Sequence, residues 1–108
     1  MNEIARQSHT GIAIVEKNIP VRPQVRAACE LLGLDPLYVA CEGRLVAICR
    51  PDDASRLLAA MQAHALGRDA ADIGEVRAEA RGLVEMETSF GGRRMVDWLA
   101  GEQLPRIC

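Results

Sequence analysis

Residues 11–33 read Gly11-Ile12-Ala13-Ile14-Val15-Glu16-Lys17-Asn18-Ile19-Pro20-Val21-Arg22-Pro23-Gln24-Val25-Arg26-Ala27-Ala28-Cys29-Glu30-Leu31-Leu32-Gly33. Two secondary-structure types meet within this stretch. Gly11–Val15 is short and β-rich, and reads as a first strand. Ile19, Pro20, Val21 and Arg22 form an extended connector, because each proline biases its predecessor away from helix. Pro23 fits the first turn of a helix and Gly33 stops it. Within that helix Val25, Ala28, Cys29 and Leu32 recur at i, i+3, i+4, i+7, the spacing of an apolar stripe. A strand followed directly by a helix sets the α/β alternation that the remaining chain extends.

Upstream, residues 2–9 are polar and read as the frayed end of a helix. Downstream, residues 37–41 and 44–49 are apolar runs flanking Glu42-Gly43, a hairpin signal with Glu42 at the tip. Pro51-Asp52-Asp53 opens a second helix with acidic residues at its positive end. Ala54, Leu57, Leu58, Met61 and Ala65 supply its expected buried stripe, and Gly67 ends it. Residues 71–78 and 83–88 read as the last clear strands, joined by a charged turn at Arg81-Gly82. Residues 90–94 read as a loop, and residues 95–99 fit neither helix nor strand well. The expected fold class is α+β, with helices layered on a mostly antiparallel sheet. Residues 1–100 form the expected domain, and residues 101–108 a flexible carboxy-terminal tail.

The chain has 108 residues, 13 Lys+Arg against 15 Asp+Glu, and a formal net charge of −2. Hydrophobic residues make up 49% and charged residues 26%, an ordinary globular balance that supports a buried core. There is no basic field for phosphate-driven binding to nucleic acid. Three aromatics, Tyr38, Phe90 and Trp98, are too few for a base-stacking platform. The apolar runs fall far short of the roughly 18–20 residues that span a bilayer. No secretory leader opens the chain, so a cytoplasmic location is expected, with reduced thiols.

The four cysteines, Cys29, Cys41, Cys49 and Cys108, form no CxxC pair, and His9 and His64 fit no zinc-ligand spacing. No resident metal or cofactor of this domain is expected. Cys29 and Cys49 read as small buried hydrophobes. Cys41 stands at a turn, where partial exposure is expected. Cys108 is the last residue, after Pro105, where no downstream chain packs it. Its thiolate is a nucleophile that the α-carboxylate disfavours and Arg106 favours. His64 reads as a cap or surface residue and His9 as inert. Gly91-Gly92-Arg93-Arg94 reads as a turn with two solvated arginines, or as an anion contact through its amides and guanidinium groups.

The ending Pro105-Arg106-Ile107-Cys108 resembles the P-R-I-C terminus of the HypE family of hydrogenase maturation factors. The resemblance extends through Asn2-Glu3-Ile4-Ala5, Ile19-Pro20-Val21-Arg22, residues 28–38 (A-C-E-L-L-G-L-D-P-L-Y), Glu42-Gly43, residues 66–71 (L-G-R-D-A-A) and Ile73-Gly74-Glu75-Val76. The family has Asn before Glu-Gly where this chain has Cys41. The resemblance implies the carboxy-terminal domain of the aminoimidazole-ribonucleotide-synthetase superfamily. It also implies an amino-terminal ATP-binding domain in the full-length protein.

The family's chemistry follows as an expectation. HypF carbamoylates the terminal cysteine from carbamoyl phosphate, and ATP-driven dehydration turns the adduct into a thiocyanate. The cyanide then passes to iron on HypC–HypD, for the [NiFe]-hydrogenase centre. The resemblance makes Cys108 the acceptor and Glu42 the residue that faces the nucleotide site and assists proton removal. This domain by itself is then an acceptor and docking module, lacking the ATP-binding half that dehydration needs. The alternative is a structural or regulatory domain of another ATP-dependent enzyme of the superfamily, with an inert terminal cysteine.

Overall fold

The computed structural model describes residues 1–79 and 81–98. By internal packing the described residues divide into two units, Met1–Pro20 with Ile48–Trp98, and Val21–Ala47.

In the first unit, helix α1 (Asn2–Ser8) precedes strand β1 (Gly11–Val15). His9 closes α1 in the left-handed conformation at φ 55°, a cap more often given to glycine or asparagine. The polar leader is therefore an ordered helix, and its Ala5 is fully buried. Helix α3 (Pro51–Ala63) begins with Pro51 in its first turn and with Asp52 and Asp53 at its positive end. Strands β2 (Gly74–Arg77), β3 (Val84–Glu87) and β4 (Arg93–Met95) follow.

The sheet order is β2-β1-β3-β4. β1 pairs antiparallel with β2 and parallel with β3, and β3 pairs antiparallel with β4. The fold is α+β and two of the three pairings are antiparallel, as the sequence leads one to expect. Strands β2 and β3 are consecutive in the chain yet not neighbours, because β1 lies between them. The turn joining them carries Gly82 at φ 78°, whose N–H donates to the Thr10 carbonyl at 2.9 Å.

Period-two alternation decides which side of the sheet is buried. Ile12 and Ile14 of β1 and Val84 and Met86 of β3 share one face, and none exceeds 7% exposure. Val96 joins this core, and its N–H donates to the Val84 carbonyl, continuing the pairing past β4. Each such side chain contributes about 1.5–3 kcal/mol by leaving water.

In the second unit, helix α2 spans Pro23–Leu32 with Pro23 at its start and Gly33 capping it at φ 67°. Both ends fall where the proline and glycine place them. Of the stripe on this helix only Cys29 is buried; Val25 is 38% and Leu32 67% exposed. The stripe on α3 is likewise half-buried at Ala54, Leu57, Leu58 and Met61, while Ala65 is exposed. The periodicity is correct and full burial is not.

Four further expectations are corrected. Residues 37–49 form no strand. Asp35 begins a turn instead, its Oδ1 accepting from Leu37 N–H at 2.9 Å and its carbonyl from Tyr38 N–H at 3.0 Å. Cys49 is exposed rather than buried, since no strand carries it into a core. Arg93 and Arg94 belong to β4 rather than a loop, paired opposite Glu87 and Met86. Helix α3 also stops at Ala63, before Gly67, and a 3₁₀ turn (Ala65–Gly67) follows.

Candidate functional site

Glu42 is exposed in a bend with Gly43, which adopts φ 73°. The turn chemistry of Glu-Gly is therefore present without the paired strands it normally joins. Cys41 is exposed beside it. Cys108 and the tail at residues 101–108 lie outside the described residues, as does position 99. The structure thus gives Glu42 an exposed carboxylate.

The histidines are accounted for locally. His64 Nδ1 accepts from Leu66 N–H at 3.2 Å and caps the 3₁₀ turn, the capping role expected of it. His9 caps α1. The Gly91-Gly92 amides are not free to cradle an anion. Gly91 N–H donates to the Thr88 carbonyl at 2.9 Å, and Gly92 N–H donates to Thr88 Oγ1 at 3.1 Å. A hairpin turn has taken the donors that an anion would need. Its neighbour Ser89 is held in turn by Glu16, whose Oε2 accepts from Ser89 N–H at 2.7 Å and from Ser89 Oγ at 2.9 Å. Among the described residues no group of three His, Cys, Asp or Glu could hold a metal ion. No described helix is long and apolar enough to cross a membrane.

Two surface features remain. The open face of the sheet forms a shallow groove of about 360 Å³ between Ala13 and Val15 of β1 and the charged Glu75, Arg77, Glu85 and Glu87. Glu75 Oε1 accepts from Arg77 Nε at 2.7 Å. That hydrogen bond, then the charge of Glu75, raises the guanidinium pKa above its ordinary value. Asp72, Glu75, Glu85 and Glu87 line this groove against Arg77 and Arg93, so carboxylates outnumber guanidinium groups here.

The second groove, of about 580 Å³, gathers Arg6 and His9 from the α1 end, Arg81 and Leu83 before β3, Met95 at the end of β4 and Trp98 beyond it. The Arg6 guanidinium lies 5.9 Å from the centre of the Trp98 ring, within cation–π range. Leu83, Met95 and Trp98 are each between 43% and 49% exposed. Three distant stretches supply this groove, so no local motif announces it. The lone tryptophan was the one available signal.

Residues 1–87 match the family model described as AIR synthase related protein, C-terminal domain. The chain is 66% identical over 108 residues to "Carbamoyl dehydratase HypE" of Bradyrhizobium diazoefficiens, covering all of this chain and 31% of the relative. It is also 66% identical to the protein of the same name from Azotobacter vinelandii, covering all of this chain and 32% of that one. A crystal structure of hydrogenase maturation protein HypE superposes with a TM-score of 0.91 at 47% identity, over 99% of this chain and 35% of that one. HypE in complex with ATP gives 0.90 at 46% identity, over 99% and 33%. A HypE–HypF complex gives 0.82 at 41% identity, over 89% and 31%. The chain spans about a third of the length of the curated relatives it matches. With the family model covering residues 1–87 and α+β architecture shared with the HypE crystal structures, this chain belongs to the AIR synthase related protein C-terminal domain family, in the company of HypE.

Proposed function

We propose that this chain is the acceptor and docking portion of a HypE-type carbamoyl dehydratase, with Cys108 as its carrier thiol. The observation that carries this reading is the 66% identity to named carbamoyl dehydratases over all 108 residues, a span that takes in the Pro-Arg-Ile-Cys terminus. The Cys108 thiolate attacks the carbamoyl carbon. A carbon–sulfur bond forms, the carbon–oxygen bond to phosphate breaks, and inorganic phosphate leaves. ATP then phosphorylates the carbamoyl oxygen, so that oxygen departs as phosphate while two protons leave the nitrogen, giving a thiocyanate. Glu42, an exposed carboxylate, is the proposed acceptor for one of those protons. HypF is the proposed loading partner, in keeping with the HypE–HypF complex among the relatives. HypC–HypD, holding iron, is the proposed recipient of cyanide, and the cytoplasm the proposed compartment. ATP is held by the other part of the full-length protein, in keeping with the HypE–ATP structure.

The test is mass spectrometry after incubation with HypF, carbamoyl phosphate and ATP. A single carbamoyl adduct on Cys108, abolished by Cys108→Ala, is the expected outcome. Modification at Cys41, or at no cysteine, refutes the reading. The carbamoylated chain incubated with ATP alone is expected to lose no water. Loss of one water there refutes the assignment of dehydration to the complete protein.

A further inference from the structure

We propose that the groove formed by Arg6, His9, Arg81 and Trp98 is the surface by which HypF grips this chain while it loads Cys108, reading an acidic segment tipped with an apolar side chain. The inference rests on the acceptor role of Cys108 and goes beyond it by assigning the docking face. Its chemistry is selective. Arg6 and Arg81 are exposed side chains lining the groove. Leu83, Met95 and the Trp98 indole offer half-exposed apolar surface beside them. Tryptophan and arginine are the side chains that, once covered by a partner, most often dominate protein–protein binding energy. Among the described residues Asp97 is the one carboxylate lining the groove, against the guanidinium groups of Arg6 and Arg81. The groove therefore complements a negative partner, whereas the open sheet face, with four carboxylates against two arginines, would repel one.

Position adds a second argument. Trp98 is where the ten residues leading to Cys108 begin, and ten residues reach at most about 35 Å. A transferase closed around the terminal thiol is held within that radius of the groove. Contact at the root of the tail also raises the effective concentration of the thiol at the transferase site.

Arg6→Glu combined with Arg81→Glu tests the assignment, with carbamoylation of Cys108 followed by mass spectrometry as the acceptor concentration is varied. The expected result is a KM raised at least tenfold and a saturating rate within twofold of the parent chain. Arg6→Lys with Arg81→Lys should recover most of the affinity. Arg26→Glu with Arg68→Glu, the same change in net charge elsewhere, should leave KM within twofold. An unchanged KM in the groove variant overturns the proposal, as does an equal loss in the Arg26/Arg68 control. Binding of the chain to HypF without carbamoyl phosphate reads the groove even if Cys108 proves not to be the acceptor. Equal affinity of parent and groove variant in that measurement also overturns it. Circular dichroism checks folding, and Arg81→Glu alone serves if the double variant is unfolded.

Discussion

At Gly74 the backbone of β2 passes so close to β1 that an added Cβ would overlap the Ala13 carbonyl oxygen. Gly74→Ala should therefore lower stability by about 1–3 kcal/mol, seen as a reduced urea midpoint. Gly33 makes a different demand. Nothing lies within 4 Å of its would-be Cβ, but φ is 67°, so Gly33→Ala should cost only the left-handed penalty of about 1–2 kcal/mol. Met86→Ala removes a side chain with no exposed surface and should cost about 2–5 kcal/mol. Phe90 is 100% exposed, so Phe90→Ala should change stability by less than about 0.5 kcal/mol by the same measurement. At this scale the sequence was a good guide wherever the deciding contact was local. Gly33 and His64 act within their own turns, and both were legible. Cys49 was not, because its burial depended on a pairing its neighbours do not make.

Elements show the same division. β1 and α2 announced themselves through a β-rich run and through a proline–glycine pair that brackets one helix. The segment at residues 37–49 carries strand-like composition, yet strand propensity describes fit to a pleated neighbour rather than an intrinsic preference. Without a paired neighbour among the described residues, Leu45 stays 72% exposed, Val46 53% and Ile48 52%. Amide exchange should separate the two cases. The N–H groups of Ile14 and Met86 are expected to exchange slowly, and those of residues 44–49 orders of magnitude faster. Comparable protection in both segments would contradict this view of 44–49. The β3–β4 hairpin was missed for the converse reason. Arg93 and Arg94 look solvated until Glu87 and Met86 are seen opposite them.

Across the whole molecule the described residues leave much apolar surface in water, including Leu31 at 87%, Leu32 at 67% and Leu66 at 92%. The 108-residue chain should therefore bind a hydrophobic dye and associate reversibly as its concentration rises, as sedimentation velocity would show. A monomer at all concentrations with no dye response would contradict that expectation. The site was legible only in part at this scale. Its terminal cysteine stands in the sequence, whereas the Arg6–Arg81–Trp98 groove exists only after the ends of the chain have been folded together. The central position of β1 has its own consequence for biogenesis. Ile12 pairs with Val76 on one side and Val84 on the other. A ribosome releases the middle strand of this sheet first, then must make both longer helices before either flanking strand emerges. Such long-range closure carries an entropic cost that local contacts do not offset, and places folding toward the slow end for its size. Until then the nascent Ile12 and Ile14 side chains wait without their sheet, an interval in which a chaperone would find them.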